Sequence, residues 1–301
     1  METYGFEGRV AVVTGAGRGI GRAYARLLAE RGASVVVNDL GGSIEGEGTD
    51  AGPAATAAGE IVAAGGTAVA DASDVADGAG AQALVDTAIE QFGRLDILVN
   101  NAGIIRWAGL PEADEDNLSS HLAVHVLGSF NTTRAAWTGM VEQGYGRIVM
   151  TTSSGMFGLP TNLAYATAKA GVVGLTRSLA TAGAHHGIKI NAIAPAALTR
   201  MAGREPADDA GTTPMAPDRV APMVAYLAHE RCPVSGEVYA AGAGRFARIF
   251  IAQTEGYVDP TGTPTVEDVA DHWAEINDER GYSVPADLMD WSATFLAHQS
   301  S

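Results

Sequence analysis

The chain is 301 residues long, 47% hydrophobic and 18% charged, a composition that builds a buried core and excludes disorder as the main state. Its 19 Lys and Arg against 35 Asp and Glu leave a net charge of −16, which repels nucleic acid and anionic membrane surfaces alike. The single cysteine, Cys232, excludes an intrachain disulfide and fits a reducing compartment. No apolar run approaches the roughly 20 residues that a transmembrane helix needs, so a cytoplasmic protein is expected.

Short β-branched runs recur at 9–13, 34–37, 67–70, 96–99, 147–151 and 188–193, with a last one at 236–240. Between them, helical stretches fall at 20–31, 54–64, 80–92, 116–142, 164–183 and 217–230. This βαβ rhythm predicts a Rossmann-type α/β fold, a doubly wound parallel sheet of about seven strands with helices on both faces. The runs are almost continuously apolar, as strands covered on both faces are. Residues 1–245 thus form one domain, and 246–301 a short helical extension packed on that domain or on a partner subunit. In the extension Thr265-Val-Glu-Asp268 has the form of a capping box. Val266, Val269, Trp273 and Ile276 then share one helical stripe, and Leu288, Trp291 and Phe295 another.

The first predicted strand runs into Thr14-Gly-Ala-Gly-Arg-Gly-Ile-Gly21 and then a helix. That arrangement aims bare backbone N–H groups and the positive end of a helix dipole at a pyrophosphate, and a Cβ would hold the phosphates away. The spacing is Gly15-x-x-x-Gly19-x-Gly21, with Arg18 and Ile20 inside it. The second strand ends at Asn38-Asp39, where a carboxylate accepts from both hydroxyls of an adenosine ribose. At about 4 Å from a 2′-phosphate that carboxylate repels it by roughly 4 kcal/mol at an effective dielectric of about 20. NAD is therefore favoured over NADP, a preference that Arg18 tempers because a guanidinium in the turn can neutralise such a phosphate.

Tyr165-Ala-Thr-Ala-Lys169 places a phenol and an ammonium at i and i+4 near the start of a predicted helix. Free tyrosine titrates near ~10, too high for a base at neutral pH; a neighbouring ammonium and a positive nicotinamide ring favour the phenolate. The pair then moves a proton to or from a carbinol oxygen. Just upstream, Thr151-Thr-Ser-Ser154 offers hydroxyls to hold the same oxygen.

The glycine turn 14–21, Asp74-Val75, Asn100-Asn-Ala-Gly103, a serine ahead of Tyr165-x-x-x-Lys169, and Pro195 follow one another in an order that resembles the short-chain dehydrogenases/reductases over residues 6–245. The resemblance implies that Asp74 and Val75 contact the adenine and that Asn101, with Ala102, Gly103 and Pro195, lies beside the cofactor. It also implies that Lys169 holds the nicotinamide ribose and that Tyr165 is the catalytic acid/base. The strings Val36-Val-Asn-Asp-Leu-Gly-Gly42, Val124-His-Val-Leu-Gly-Ser-Phe130 and Tyr145-Gly-Arg-Ile-Val-Met150 look like the (3R)-hydroxyacyl-CoA dehydrogenase domains of peroxisomal multifunctional enzymes. Bacterial relatives of that branch include hydroxyacyl-CoA and hydroxysteroid dehydrogenases.

Two positions depart from the wider family. Counting along the fifth strand puts the catalytic hydroxyl at Ser153, whereas counting back from Tyr165 gives Thr152; Ser153 is taken. His125 stands where most relatives carry an asparagine. The resemblance implies a proton relay through that asparagine, and a neutral imidazole, which offers one donor and one acceptor, is expected to hold it here. Activity is then expected to fall at low pH as the ring charges near ~6.5.

The function expected is an NAD-dependent oxidoreductase interconverting a secondary alcohol and a ketone, a 3-hydroxyacyl-CoA or a hydroxysteroid. An NADPH-dependent 3-ketoacyl reductase and a non-catalytic nucleotide-binding protein are the alternatives. The partner is a small-molecule alcohol or ketone, with neither nucleic acid nor membrane, and the family habit implies a homodimer or homotetramer. No metal site is expected, since His185-His186 has no third ligand in sight. Trp107, Phe157, Leu159 and Met201 flank the expected catalytic mouth and read as walls of an apolar pocket. The acidic runs 112–116 and Asp208-Asp209 read as solvated loop and helix starts.

Overall fold

The computed structural model describes residues 4–202, 213–260 and 262–300; Asp208 and Asp209 lie outside the described residues. Its strands are β1 (Val10–Thr14), β2 (Ser34–Asn38), β3 (Thr67–Asp71), β4 (Ile97–Asn100), β5 (Gly146–Thr151), β6 (Ile188–Pro195), β7 (Val238–Gly242) and β8 (Arg245–Ile249). They form one sheet in the order β3-β2-β1-β4-β5-β6-β7-β8. Every registered pair from β3 to β7 is parallel. The strand order reverses beside β1, which pairs with both β2 and β4, so a ligand crevice opens there at the carboxyl ends of the strands. β1 and β4 are buried at every residue, and each Val or Leu they bury contributes about 1.5–3 kcal/mol.

The helices that cover the sheet are α1 (Gly19–Glu30), α2 (Gly52–Ala63), α3 (Gly78–Phe92), α4 (Glu115–His121), α5 (Gly128–Gln143), α6 (Leu163–Gly183) and α7 (Ala221–Ala228). Two differences from the expectation stand out. The sheet gains an eighth strand beyond the seven expected. β8 was hidden because Arg-Phe-Ala-Arg-Ile carries charge on an exposed edge, and its two-residue link to β7 allows only an antiparallel return. The helix expected at 116–142 is broken by a π-helical turn, Leu122–Leu127, between α4 and α5. Back-bonds from Ser129 Oγ to the His125 carbonyl at 2.7 Å and from Thr132 Oγ1 to the Gly128 carbonyl at 2.9 Å support this region, a habit that bends helices.

The chain divides into two compact units at Arg248/Ile249, three residues past the expected boundary. The second unit holds α8 (Val266–Asp271), α9 (Trp273–Ile276) and α10 (Leu288–Phe295). Its capping box is formed in both directions between Thr265 and Asp268. A bridge joins Gln253 to Ser283, and the Trp291 indole donates to the Gln253 side chain. The expected stripe is not continuous: the helix stops at His272, and Val266 and Trp273 are largely exposed.

Candidate active site

A cavity of about 630 Å³ opens where the strand order reverses, within the usual size of a cofactor site. Its floor is the turn between β1 and α1. Gly15 sits at φ +62, and a Cβ there would lie 2.8 Å from Ala102 Cα; at Gly21 it would lie 2.3 Å from the Gly15 carbonyl oxygen. These two glycines let the turn pack on itself and on the end of β4. At Gly19, with φ +54, a Cβ would meet nothing nearer than Thr199 at 3.6 Å, which leaves open ground above the start of α1. Arg18 occupies the N-cap without a side-chain cap bond among the described residues, so the first-turn N–H groups are free to meet an anion.

Asn101 locks this floor. Its amide donates to the carbonyls of Thr14 at 2.9 Å and Gly15 at 3.1 Å, while the backbone N–H groups of Asn101 and Ala102 both donate to Thr14 Oγ1 at 3.0 Å. Just past the end of β2, Asp39 Oδ2 accepts from the Gly17 N–H at 2.9 Å and Oδ1 from the Gly41 N–H at 2.7 Å. Each oxygen keeps a lone pair for a ribose hydroxyl. Arg18 leans on the same wall, with Nη1 donating to the Gly42 carbonyl at 3.4 Å. The site residues expected from the glycine turn, Asp39, Asp74-Val75 and 101–103 all line this one cavity. Pro195, at the end of β6, does not, and neither do Tyr165 and Lys169. An uncapped helix start, open ground at Gly19 and a fixed carboxylate fit a dinucleotide.

The chemistry-bearing side chains gather at the ends of β5 and α6. Asn162 starts α6 by accepting the Tyr165 N–H on its side chain at 3.2 Å. The Ser153 hydroxyl and the Tyr165 ring both border Gly155, where a Cβ would lie 3.5 Å from each, whereas Thr152 is buried with its hydroxyl donating to the Lys169 carbonyl at 2.6 Å. Of the two hydroxyls, Ser153 is the one that reaches Tyr165. Lys169 Nζ lies 5.7 Å from the Tyr165 ring centroid and donates to the Thr151 carbonyl at 2.8 Å.

Burial pushes the Tyr165 phenol up, with the nearby Ser153 hydroxyl working against it, and draws the Lys169 ammonium down to about 7. The expectation of a phenol lowered by its lysine therefore does not hold for the protein by itself. Both charged forms are desolvated, and that cost outweighs their mutual attraction.

His121 and His125 stack 5.9 Å apart and meet the Tyr165 ring edge-on at 6.2 and 5.4 Å. His121 is satisfied, since its Nε2 accepts from the Arg106 N–H at 3.2 Å and its Nδ1–H donates to the Asn117 carbonyl at 2.7 Å. His125 is not. Its Nε2 faces the Ile104 carbonyl at 2.8 Å and the Ile104 N–H at 3.3 Å, of which one tautomer uses only one. Its Nδ1 is buried without a partner among the described residues. Burial first, then Lys169, holds the His125 imidazolium well below the usual range, against the Ile104 bond. The ring stays neutral where the sequence reading had it charging, because that reading used the solvated value.

Sequence reasoning missed His121, Asn162 and the backbone of 104–106. The signals were present in part: His121 precedes His125 by one helical turn, and Asn162 stands three residues ahead of Tyr165, the N-cap offset. Trp107 and Phe157 are both exposed, and Gly109 approaches the Pro160 carbonyl closely enough that a Cβ would lie 2.7 Å from it. The loops carrying the two aromatics therefore pack together, while Met201 lines the cavity itself. Among the described residues, no three His, Cys, Asp or Glu side chains converge as a metal site, and no helix is long and apolar enough to cross a membrane.

The family profile described as short chain dehydrogenase matches residues 9–210. The peroxisomal multifunctional enzyme type 2 of Drosophila melanogaster is 44% identical over 281 residues, which is 91% of this chain and 46% of that protein. The peroxisomal hydratase-dehydrogenase-epimerase of Saccharomyces cerevisiae is 40% identical over 279 residues, 91% of this chain and 31% of that protein. The chain thus spans less than half the length of these two relatives. A crystal structure of a short chain dehydrogenase from Mycobacterium avium matches with a TM-score of 0.79 at 38% identity, covering 90% of this chain and 97% of that one. The family and fold imply a nicotinamide cofactor and a small-molecule substrate. With a Rossmann-like sheet, a dinucleotide-shaped crevice and relatives matched across nearly all of its length, the chain belongs to the short-chain dehydrogenases, oxidoreductases that act on CH–OH groups.

Proposed function

We propose that the chain is an NAD-dependent dehydrogenase that oxidises the secondary alcohol of a 3-hydroxyacyl-CoA to the ketone, or runs the reverse step. The observation that carries the chemistry is the Ser153 hydroxyl beside the Tyr165 ring at Gly155, with Lys169 buried against the same ring. Substrate class rests on the relatives: a dehydrogenase named together with a hydratase oxidises the alcohol that hydration of a double bond makes. Cofactor choice rests on Asp39, whose carboxylate is held on the cavity wall where a 2′-phosphate would meet its charge.

When bound, the oxidised nicotinamide supplies the hydride acceptor and a positive charge. The Tyr165 phenolate is favoured by that charge against its desolvation, and it takes the proton of the carbinol oxygen that Ser153 holds. Lys169, titrating near neutrality, gives that proton an onward route. His125 serves this route as a neutral ring with a spare nitrogen.

Initial rates with NAD and NADP on 3-hydroxyacyl-CoAs, hydroxysteroids and small secondary alcohols test the reading. Turnover of the thioesters with NAD is expected. Tighter binding of NADP, as Arg18 would permit, points instead to the ketoacyl reductase. Tyr165→Phe should lower kcat roughly 10²–10⁴-fold with NAD affinity within a few fold. Wild-type rates in that variant would overturn the assignment.

A further inference from the structure

Between β2 and α2 a glycine-rich strap, residues 41–48, crosses the cavity. Ser43 shapes it: its N–H donates to the Glu47 carbonyl at 2.8 Å, and its hydroxyl accepts from the N–H groups of Glu45 at 3.2 Å and Glu47 at 3.3 Å. One end is tied to the phosphate turn through Asp39 and Arg18. The other is tied to the segment after β4, where the Ile105 N–H donates to the Ile44 carbonyl at 2.8 Å and Arg106 Nε to the Glu45 carbonyl at 2.7 Å. Ser43, Ile44 and Gly46 line the cavity, and a Cβ on Gly46 would lie 2.9 Å from the Ile104 side chain. The strap therefore rests directly on the residue whose backbone faces His125.

Arg106 is the joint of this arrangement. Its Nη1 donates to Asp116 Oδ2 and to Ser120 Oγ, each at 3.0 Å and both on α4. Its backbone N–H meets His121, and its carbonyl accepts from Asn117 Nδ2 at 3.1 Å. One guanidinium thus fastens the strap to the helix that leads into His121 and His125. The Asp116 side chain is 80% exposed, so the ion pair adds little to folding. What it fixes is the place of the strap.

We propose that Arg106 is a positioning residue that latches the 41–48 strap over the bound dinucleotide and so sets the rate at which the dinucleotide leaves. This rests on the reading of the cavity as the nicotinamide cofactor site. A molecule lying under Ser43, Ile44 and Gly46 departs when the strap lifts, and lifting breaks the Arg106–Glu45 and Ile105–Ile44 bonds together. Without the guanidinium only the neutral backbone bond resists, and the charge-assisted bond is the stronger of the two.

Stopped-flow fluorescence of NADH release from the full chain, chased with excess NAD, reads this rate. Arg106→Ala should speed release roughly tenfold, the equivalent of one charge-assisted hydrogen bond. Arg106→Lys should restore part of the effect, since an ammonium reaches one acceptor where the fork reaches several. Amide exchange at Ile105 should slow on NADH binding in the wild type and much less in Arg106→Ala. Should Arg106→Ala fail to fold, Asp116→Ala with Ser120→Ala releases only the α4 side of the latch and should speed release by a smaller factor. Unchanged release in whichever of these variants folds overturns the latch while leaving the cofactor site standing. A wild type that binds neither NADH nor NADPH overturns the site and the latch together.

Discussion

At Lys169 burial draws the ammonium down to about 7 while its Nζ leans on the Thr151 carbonyl. An unfolded lysine keeps its proton to about 10.4, so between about 7 and 10.4 the unfolded chain binds more protons and stability rises with pH; below 7 the full cost of the buried charge remains. Lys169→Met is therefore expected to abolish turnover yet raise stability at pH 6 by on the order of a few kcal/mol, with the gain fading toward pH 10. Denaturant titrations across that range check it. His125 obeys the same rule on the acid side. Its folded pKa is depressed, so the unfolded ring takes the proton first, and stability falls as pH drops below about 6.5. Lys169 is expected to set a limb of the kcat profile near pH 7. The His125→Asn variant should keep substantial activity, lose part of that acid sensitivity of stability, and leave this limb in place. A limb that moved with the histidine would return the ionisation to His125. Sequence alone put forward Ser153, Tyr165, Lys169 and His125 but misjudged how Tyr165 and His125 titrate, because desolvation depends on what packs around a side chain rather than on its neighbours in the chain.

At the scale of elements, the first seven strands and most helices were legible because apolar runs with glycine punctuation carry their own period. The π-helical turn was not. One widened turn leaves no mark in composition, yet it decides which way His125 faces. The N-cap of α6 has a direct bearing on the site, because the Asn162 side chain holds the backbone of Tyr165 itself. Asn162→Ala should cost about 1 kcal/mol of stability and lower kcat, and Asn162→Asp, which keeps the cap oxygen, should recover the stability. Thermal melts and initial rates on the two variants separate cap from catalysis. Equal kcat in all three proteins would show that the cap does not position the phenol.

Across the whole molecule, net charge of −16 and exposed apolar side chains coexist. Leu127 and Phe130 stand exposed where the π-helical turn meets α5, and Leu288 and Met289 on α10 in the smaller unit. We expect such surface to be covered in a homodimer or homotetramer with closed symmetry. Light scattering at low concentration should give a multiple of the 30.8 kDa chain, and a species of one chain mass would count against it.

The clamp at Asn101 reaches beyond geometry. The two turns that meet beneath the dinucleotide are already joined before any ligand arrives, so binding does not have to order them. The same contact restricts how the chain can drift in evolution. A Cβ at position 21 would stand 2.3 Å from the Gly15 carbonyl oxygen as well as 2.5 Å from Asn101 Nδ2, so shortening the side chain at 101 does not by itself make room for alanine. Position 21 should therefore stay glycine whatever stands at 101, and a Gly21→Ala change should weaken NAD by displacing the Gly15 carbonyl and the Asn101 amide beneath the turn rather than by filling the crevice.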